Sequence, residues 1–407
     1  MATTIDRMST TAGRIATGAG IDPRILAMMG VMLAIWVVLD LLTGGIFLTA
    51  RNLFNLSLQV AVVGIMASGM VLVIVARHID LSVGSQLGFI GVFGALMQTS
   101  WLTLDGTGTW WLTVIAMLAL GVLIGALQGA LVASARIPSF VVTLGGLLFF
   151  RNAAYQLNDG KTVAPLDPTF QLLGGGLNGT LGGTWSWIVG LLAVAAIAIT
   201  VIRTRLRRAR FGFETRPITT DVLVIAIWSA VVLGFVAMMN AYKRPGTEEP
   251  MGIAIPVIIL AGVTLAMTVF ATRHRFGRHV YAVGGNPESA DLAGIDTRKV
   301  TIKIFALMGL LCGLAAIVIS ARLNAGAAAT GTMTELNVIA AAVIGGTSLA
   351  GGIGTIYGAV IGAIVMQSLE SGMVLLGVPS PMQKMVLAIV LIVAVWVDMA
   401  WRRRARA

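Results

Sequence analysis

Side chains able to do chemistry are few in this chain, and their spacing argues against catalysis. Gly160, Lys161 and Thr162 imitate the end of a phosphate-binding loop, but Tyr155 stands where such a loop needs its first glycine. No nucleotide hydrolysis is expected of this chain. His78, His274 and His279 are the only histidines, and none has cysteine or carboxylate neighbours at metal-ligand spacing. Neither a metal nor another cofactor is implied, and no Ser/His/Asp set or carboxylate pair is evident. Cys312 is the single cysteine and lies in an apolar run, which rules out an intrachain disulfide. An enzyme is not expected.

Polar residues embedded in apolar sequence are costly and are functional candidates for that reason. Asp80 lies in the run HIDLSVGS, residues 78–85, where its carboxylate is expected to cap a helix starting at Leu81, with Ser82 and Ser85 adding local bonds. A gating or substrate contact is the alternative. Arg151, Arg322, Asn324, Glu335 and Asn337 fall near the ends of apolar runs, and Gln367 and Glu370 fall inside one. Glu335 and Asn337 open a short apolar segment, 336–350, directly after the Gly/Ala-rich residues 325–331, where irregular backbone could line a cavity. The candidates for a path or gate are thus Asp80, Ser82, Asn324, Glu335 and Asn337.

A different kind of signal comes from residues 273–303, RHRFGRHVYAVGGNPESADLAGIDTRKVTIK, a basic connection between two long apolar runs. Gly284, Gly285, Asn286 and Pro287 read as a turn. Asn286 is expected as an N-cap with Pro287 in the first helical position, Glu288 and Asp291 near the helix start, and Gly294 as the stop. A capped amphipathic turn of this kind fits the groove of a soluble partner better than it fits a mere connector.

These residues must be positioned by membrane helices. Of the 407 residues, 57% are hydrophobic and 11% charged, with a mean hydropathy of +0.93, which places the chain outside the soluble globular class. Spans of about 20 residues are expected at 25–44, 52–76, 81–100, 112–133, 137–157, 186–202, 222–240, 253–272, 304–321, 354–376 and 382–400. Segment 336–350 is ambiguous. The net charge of +11 is carried by short loops and tails, as the positive-inside rule requires, which argues against nucleic acid as a partner. Arg203, Arg205, Arg207, Arg208 and Arg210, the N-terminal Arg7, Arg14 and Arg24, and the C-terminal Arg402, Arg403, Arg404 and Arg406 all mark cytoplasmic segments. Two cytoplasmic termini need an even number of spans, and twelve with one short or broken helix is the preferred count. The fold class is all-α, a polytopic transmembrane helical bundle of about 10–12 spans. Residues 1–24 form a cytoplasmic tail, 25–400 one membrane domain and 401–407 a basic tail, and no cleavable leader is evident.

Glycines at helical spacing, Gly121/Gly125/Gly129, Gly354/Gly358/Gly362 and Gly309/Gly313, are expected to let helices approach closely within the chain, a homodimer seam being the alternative. A faint repeat sets residues 80–95 against 348–363, matching Leu81 with Leu349, Gly84 with Gly352, Gly94 with Gly362 and Ala95 with Ala363.

Five stretches carry a family resemblance: FLTARNLFNL from Phe47, GMVLVIVARHIDLSVGS from Gly69, IPSFVVTLGGLLFFRN from Ile137, GRHVYAVGGNPESADLAGI from Gly277 and ELNVIAAAVIGGTSLAGGIGTIYGAVIGA from Glu335. In this order they resemble the permeases of bacterial monosaccharide ABC importers, the ribose, arabinose, galactose and xylose group. The Arg-rich loop and apolar segments at 185–240 are similar to an insertion of the xylose type, which implies D-xylose. Arg77 and His78 depart from the family, which usually has an acidic residue or glycine there. The resemblance implies a homodimer in the bacterial inner membrane, a periplasmic sugar-binding protein and a separate cytoplasmic ATPase. The loop is similar to the family's coupling helix, which implies Glu288, Ser289, Ala290, Ala293 and Gly294 as the ATPase contact, within the stretch from Asn286 to Ile295. A branched-chain amino acid or autoinducer permease is the alternative, and an ion-coupled secondary transporter the rival from another class.

Overall fold

Hydrocarbon offers no hydrogen-bond partner to a backbone, so apolar runs of this length satisfy their own amides as helices. A computed structural model describes residues 23–102, 109–213 and 217–406. Its helices are α1 (Pro23–Leu42), α2 (Ala50–Val75), α3 (Val83–Leu96, ending in a π turn, Met97–Trp101), α4 (Thr109–Ala133), α5 (Ser139–Leu157), the one-turn α6 (Pro168–Gln171), α7 (Gly182–Arg210), α8 (Ile218–Ala241), α9 (Ile255–Arg273), α10 (Arg275–Gly285), α11 (Pro287–Leu292), α12 (Thr297–Leu323), α13 (Thr334–Ile344), α14 (Ile356–Leu375) and α15 (Ser380–Arg406). Among the described residues only isolated bridges occur and no strand forms. Among the described residues, seven helices are long and apolar enough to cross a membrane alone.

Two helices form the centre. The apolar stretch of α2 is 94% buried and that of α12 72%, against 11% for α7 and α8. Glycine explains how α4 reaches α12. A Cβ at Gly121 would stand 2.2 Å from the Gly309 carbonyl oxygen, and one at Gly309 2.0 Å from that of Gly121, so only bare backbone fits. Likewise Gly362 faces the Ala341 carbonyl and Gly358 that of Gly345, which joins α14 to α13. The expected ridges therefore pack within the chain. Gly354 lies in the turn before α14, outside the ridge assigned to it. The α7–α8 hairpin packs chiefly on itself and is tied down through Leu181, whose amide donates to Ile253 O at 2.9 Å.

Contacts fix which helix ends share a level. Val75, at the end of α2, meets Gly352 and Gly284, which puts the α13–α14 turn and α10 at one end of the bundle. Trp36 donates to Ser368 Oγ and Ser371 to Asn52 Oδ1, which puts the end of α1, the start of α2 and the end of α14 at the opposite end. Following the chain from there, the start of α1, the arginine-bearing end of α7 and the end of α15 all lie at the α10–α11 end. The traverse is made twelve times.

The short or broken helix expected to complete the preferred count is present. The ambiguous segment 336–350 is an 11-residue helix, α13, only about 16 Å long, or half a bilayer core. The remainder of that pass, 324–333, is non-helical chain folded into successive turns. Helix α15 continues through the expected 401–407 tail as far as Arg406. By architecture, the break and short helix after α2 correspond to those after α12, both helices ending at a left-handed residue, Arg77 (φ 65°) and Asn324 (φ 52°). The faint match of 80–95 with 348–363 pairs elements with no such likeness. Residues 1–22, most of the N-terminal tail, lie outside the described residues.

Candidate functional site

Short helices α3 and α13 begin inside the bundle and meet start to start. Gly331, just before α13, would press a Cβ to 2.3 Å from Gly84 O, and Gly84, in the first turn of α3, would press one to 2.2 Å from Glu335 Oε2. Half-helices that start within a membrane aim their free N–H groups and positive dipole ends at one level, the arrangement from which transporters build substrate sites.

On the α3 side, Asp80 Oδ1 accepts from the Ser82 amide (2.9 Å) and hydroxyl (2.6 Å). Ser82 Oγ accepts in turn from Gln86 Nε2 at 2.7 Å and Gln128 Nε2 at 3.0 Å, and all four side chains are buried. Asp80 was expected to cap a helix from Leu81. The helix instead starts at Val83 without a side-chain cap, and Asp80 closes the turn before it. Ser85 bonds locally, to Ser82 O, as expected.

On the α13 side, Arg151 from α5 donates Nη1 to Ala328 O at 2.5 Å and Thr330 O at 2.9 Å, mooring the non-helical segment before α13. Glu335 is buried against Gly84, and its Oε2 has no hydrogen-bond partner. Asn337 Nδ2 and Gln367 Nε2 both donate to Glu370 Oε2 at 3.2 Å, and Lys384 Nζ lies 3.1 Å from Glu370 Oε1. These groups line a cavity of about 280 Å³ with Gln59, Arg322, Thr330, Thr332 and Thr334. That is just below the usual range of about 300–1,000 Å³ for small-molecule pockets. Its lining combines these donors and acceptors with the apolar Val62, Val63, Leu87, Ile319 and Leu323, and none of the lining residues is aromatic, which suits a small polar solute held weakly.

Four of the five path candidates therefore meet around the two helix starts. Asn324 does not. It sits in the left-handed turn at the far end of α12 and accepts from the Leu166 amide at 2.7 Å, a structural task. Sequence reading missed Lys384 and set aside Gln367 and Glu370 as ordinary paired groups. A carboxylate and a lysine in adjacent apolar runs were the available signal.

The second element is the loop. Asn286 Oδ1 accepts from the Ser289 amide at 3.1 Å, Pro287 takes the first helical position, and Gly294 has φ +81°, all as its sequence predicts. Asp296 caps α12 through the Lys299 amide (3.0 Å), and this bond, ahead of the Lys299 side chain, holds its carboxyl below the usual range. Asn286, Glu288, Ser289, Ala293 and Gly294 are exposed. Ala290 is buried and Ile295 is half-buried against the core, so both help to seat α11. Leu292, absent from the expected contact set, is 91% exposed and forms an apolar knob among polar neighbours.

The family described as "Branched-chain amino acid transport system / permease component" matches residues 52–227 and 223–395. The xylose transport system permease protein of Escherichia coli (strain K12) is 38% identical over 398 residues, covering 97% of this chain and 96% of that protein. The corresponding Haemophilus influenzae protein is 38% identical over 367 residues, covering 89% and 92%. The ribose import permease protein of Escherichia coli (strain K12) is 34% identical over 352 residues, covering 86% and 87%. No solved structure matches. With a helical bundle, two helix starts meeting inside it and a capped turn at one end, the chain belongs to the branched-chain amino acid transport system / permease component family, among its bacterial monosaccharide ABC permeases.

Proposed function

We propose that the chain is the transmembrane permease subunit of an ATP-driven importer for a monosaccharide, D-xylose in the first instance. The observation that carries this reading is the polar cavity of Asn337, Gln367, Glu370 and Lys384 beside the start of α13. The 38% identity to xylose permeases over nearly the whole chain supports the choice of sugar. The protein forms the path and a separate ATPase, docked on α11 through Glu288, Ser289, Leu292, Ala293 and Gly294, supplies the energy. It works as a homodimer in the inner membrane with both termini cytoplasmic, and receives sugar from a periplasmic binding protein. Hydroxyls on every edge of a pentose can exchange among the amides, the threonines and the Glu370–Lys384 pair without a single tight contact. Weak binding of this kind permits release.

The test is uptake of labelled D-xylose into proteoliposomes holding the permease, its ATPase and its binding protein. Uptake should require ATP, persist with a protonophore, and fall by roughly tenfold in Glu370→Gln, which removes a charge-assisted pair. Uptake driven by a proton gradient without ATP would refute the reading. A second substrate has a specific observation in its favour: Glu370 and Lys384 together match the two charges of an amino acid zwitterion. Competition by leucine, with none by xylose or ribose, would select it.

A further inference from the structure

The turn that follows α2 carries a contact that neither the cavity nor the docking helix explains. Arg77 adopts φ 65°, a left-handed conformation uncommon outside glycine. Its guanidinium then spans two successive carbonyls at the end of α10, with Nε donating to Gly284 O and Nη2 to Gly285 O, each at 2.7 Å. Gly285 is followed directly by Asn286, the cap of α11. The same joint takes in the α13–α14 turn, for Gly352 donates its amide to Val75 O at 2.9 Å and Tyr281 donates its hydroxyl to Gly354 O at 2.7 Å. Glycine leaves the joint no slack. A Cβ at Gly284 would lie 1.8 Å from Val75 O, and one at Gly351 2.4 Å from Arg77 Cγ.

We propose that Arg77 is a positioning residue for transport, the link through which displacement of α11 reaches both half-helices. In one direction the chain runs from Arg77 through His78 and Ile79 to Asp80 and Ser82, the turn that opens α3. In the other, the backbone packed on Arg77 at Gly351, and on Gly284 and Gly285 at Gly352, leads back to α13, whose start carries Glu335 and borders the cavity. A planar fork on two carbonyls fixes orientation as well as distance, which an ammonium or an amide cannot reproduce. The movement of α11 is therefore delivered to the starts of α3 and α13 together. This rests on the docking role given to α11 above.

The experiment compares wild type with Arg77→Lys, Arg77→Gln and Arg77→Met in the complete reconstituted complex, measuring D-xylose uptake and ATP hydrolysis side by side. Size-exclusion elution of the complex checks folding and assembly. Sugar moved per ATP should fall by roughly tenfold or more in Arg77→Met, the scale of losing charge-assisted bonds. Hydrolysis should continue, and Arg77→Lys should recover part of the ratio. An unchanged ratio, or uptake and hydrolysis falling in proportion, overturns the proposal. Hydrogen exchange gives a readout independent of the sugar. On adding the ATPase with ATP, protection at 76–82 and 345–355 should change in wild type, while in Arg77→Met the change should stay within 285–295. Identical responses in the two proteins would again overturn it. Absent D-xylose uptake by wild type with these exchange differences intact would count against the assigned sugar and leave the link standing.

Discussion

Gly284 and Gly285 are adjacent and chemically identical, yet their surroundings predict opposite outcomes. A methyl group at Gly284 would run into the Val75 carbonyl and the Gly352 amide, both backbone atoms that cannot swing aside, whereas nothing lies within 4 Å of one at Gly285. Gly284→Ala should therefore lower stability by about 1–3 kcal/mol, the usual cost of overpacking, and Gly285→Ala should be close to neutral. Thermal unfolding of the two purified variants in one detergent decides this, and equal melting temperatures would contradict it. Tyr281, which braces the same joint, has its phenol pushed above the ordinary value, first by burial and then by Tyr357. It stays protonated below that value, so its bond to Gly354 O persists through the physiological range and is lost only as pH rises through the raised value. Residue chemistry was legible where it was local. Asn286, Pro287 and Gly294 announce a capped turn because capping is settled within a few residues. Arg77 and Leu292 were not legible as functional, because the partners of Arg77 lie 207 and 208 positions away and the exposure of Leu292 depends on which face of α11 is seated.

At the scale of elements, apolar length found every long helix, since hydrocarbon enforces helix wherever the run is long enough. It could not decide 336–350, because a hydropathy window does not distinguish a short span from a half-helix preceded by a run of turns. Backbone chemistry decides it. The non-helical residues 324–333 have carbonyls that a helix would have satisfied, and Arg151 takes two of them, at Ala328 and Thr330. Glycines at 84, 88 and 331 let this segment lie against α3. The glycine ridges were readable as close contacts but not as pairs, since Gly121 does not encode that its partner is Gly309. If Arg151 moors the segment, Arg151→Met leaves the two carbonyls without their donor and should destabilise the protein by about 1–3 kcal/mol for each one stranded from water. The effect should appear in thermal unfolding and as faster hydrogen exchange confined to 324–337. Wild-type exchange in that window would show that packing alone holds it.

For the whole molecule, charge and geometry make independent statements about orientation. The arginines of 203–210 suggested which loops face the cytoplasm, and the packing places that arginine-bearing end of α7 at the same end of the bundle as α11 and the C-terminal end of α15. Composition alone could establish membrane residence but not this agreement, which depends on the turns of 324–333 and α13 together completing one pass. Were α13 to turn back instead, α14 and α15 would be inverted and the basic residues after Trp401 would face the other side. Labelling can test the arrangement cleanly, because Cys312 is fully buried and silent toward a polar maleimide. A cysteine replacing Leu292, at the α11 end, should react in inside-out vesicles and not in right-side-out ones. One replacing the exposed Lys161, at the opposite end, should show the reverse pattern. Reaction of both from the same side would break the twelve-pass arrangement and separate the docking turn from the cytoplasm. Opposite patterns would place the apolar Leu292 knob where only a soluble cytoplasmic protein can cover it.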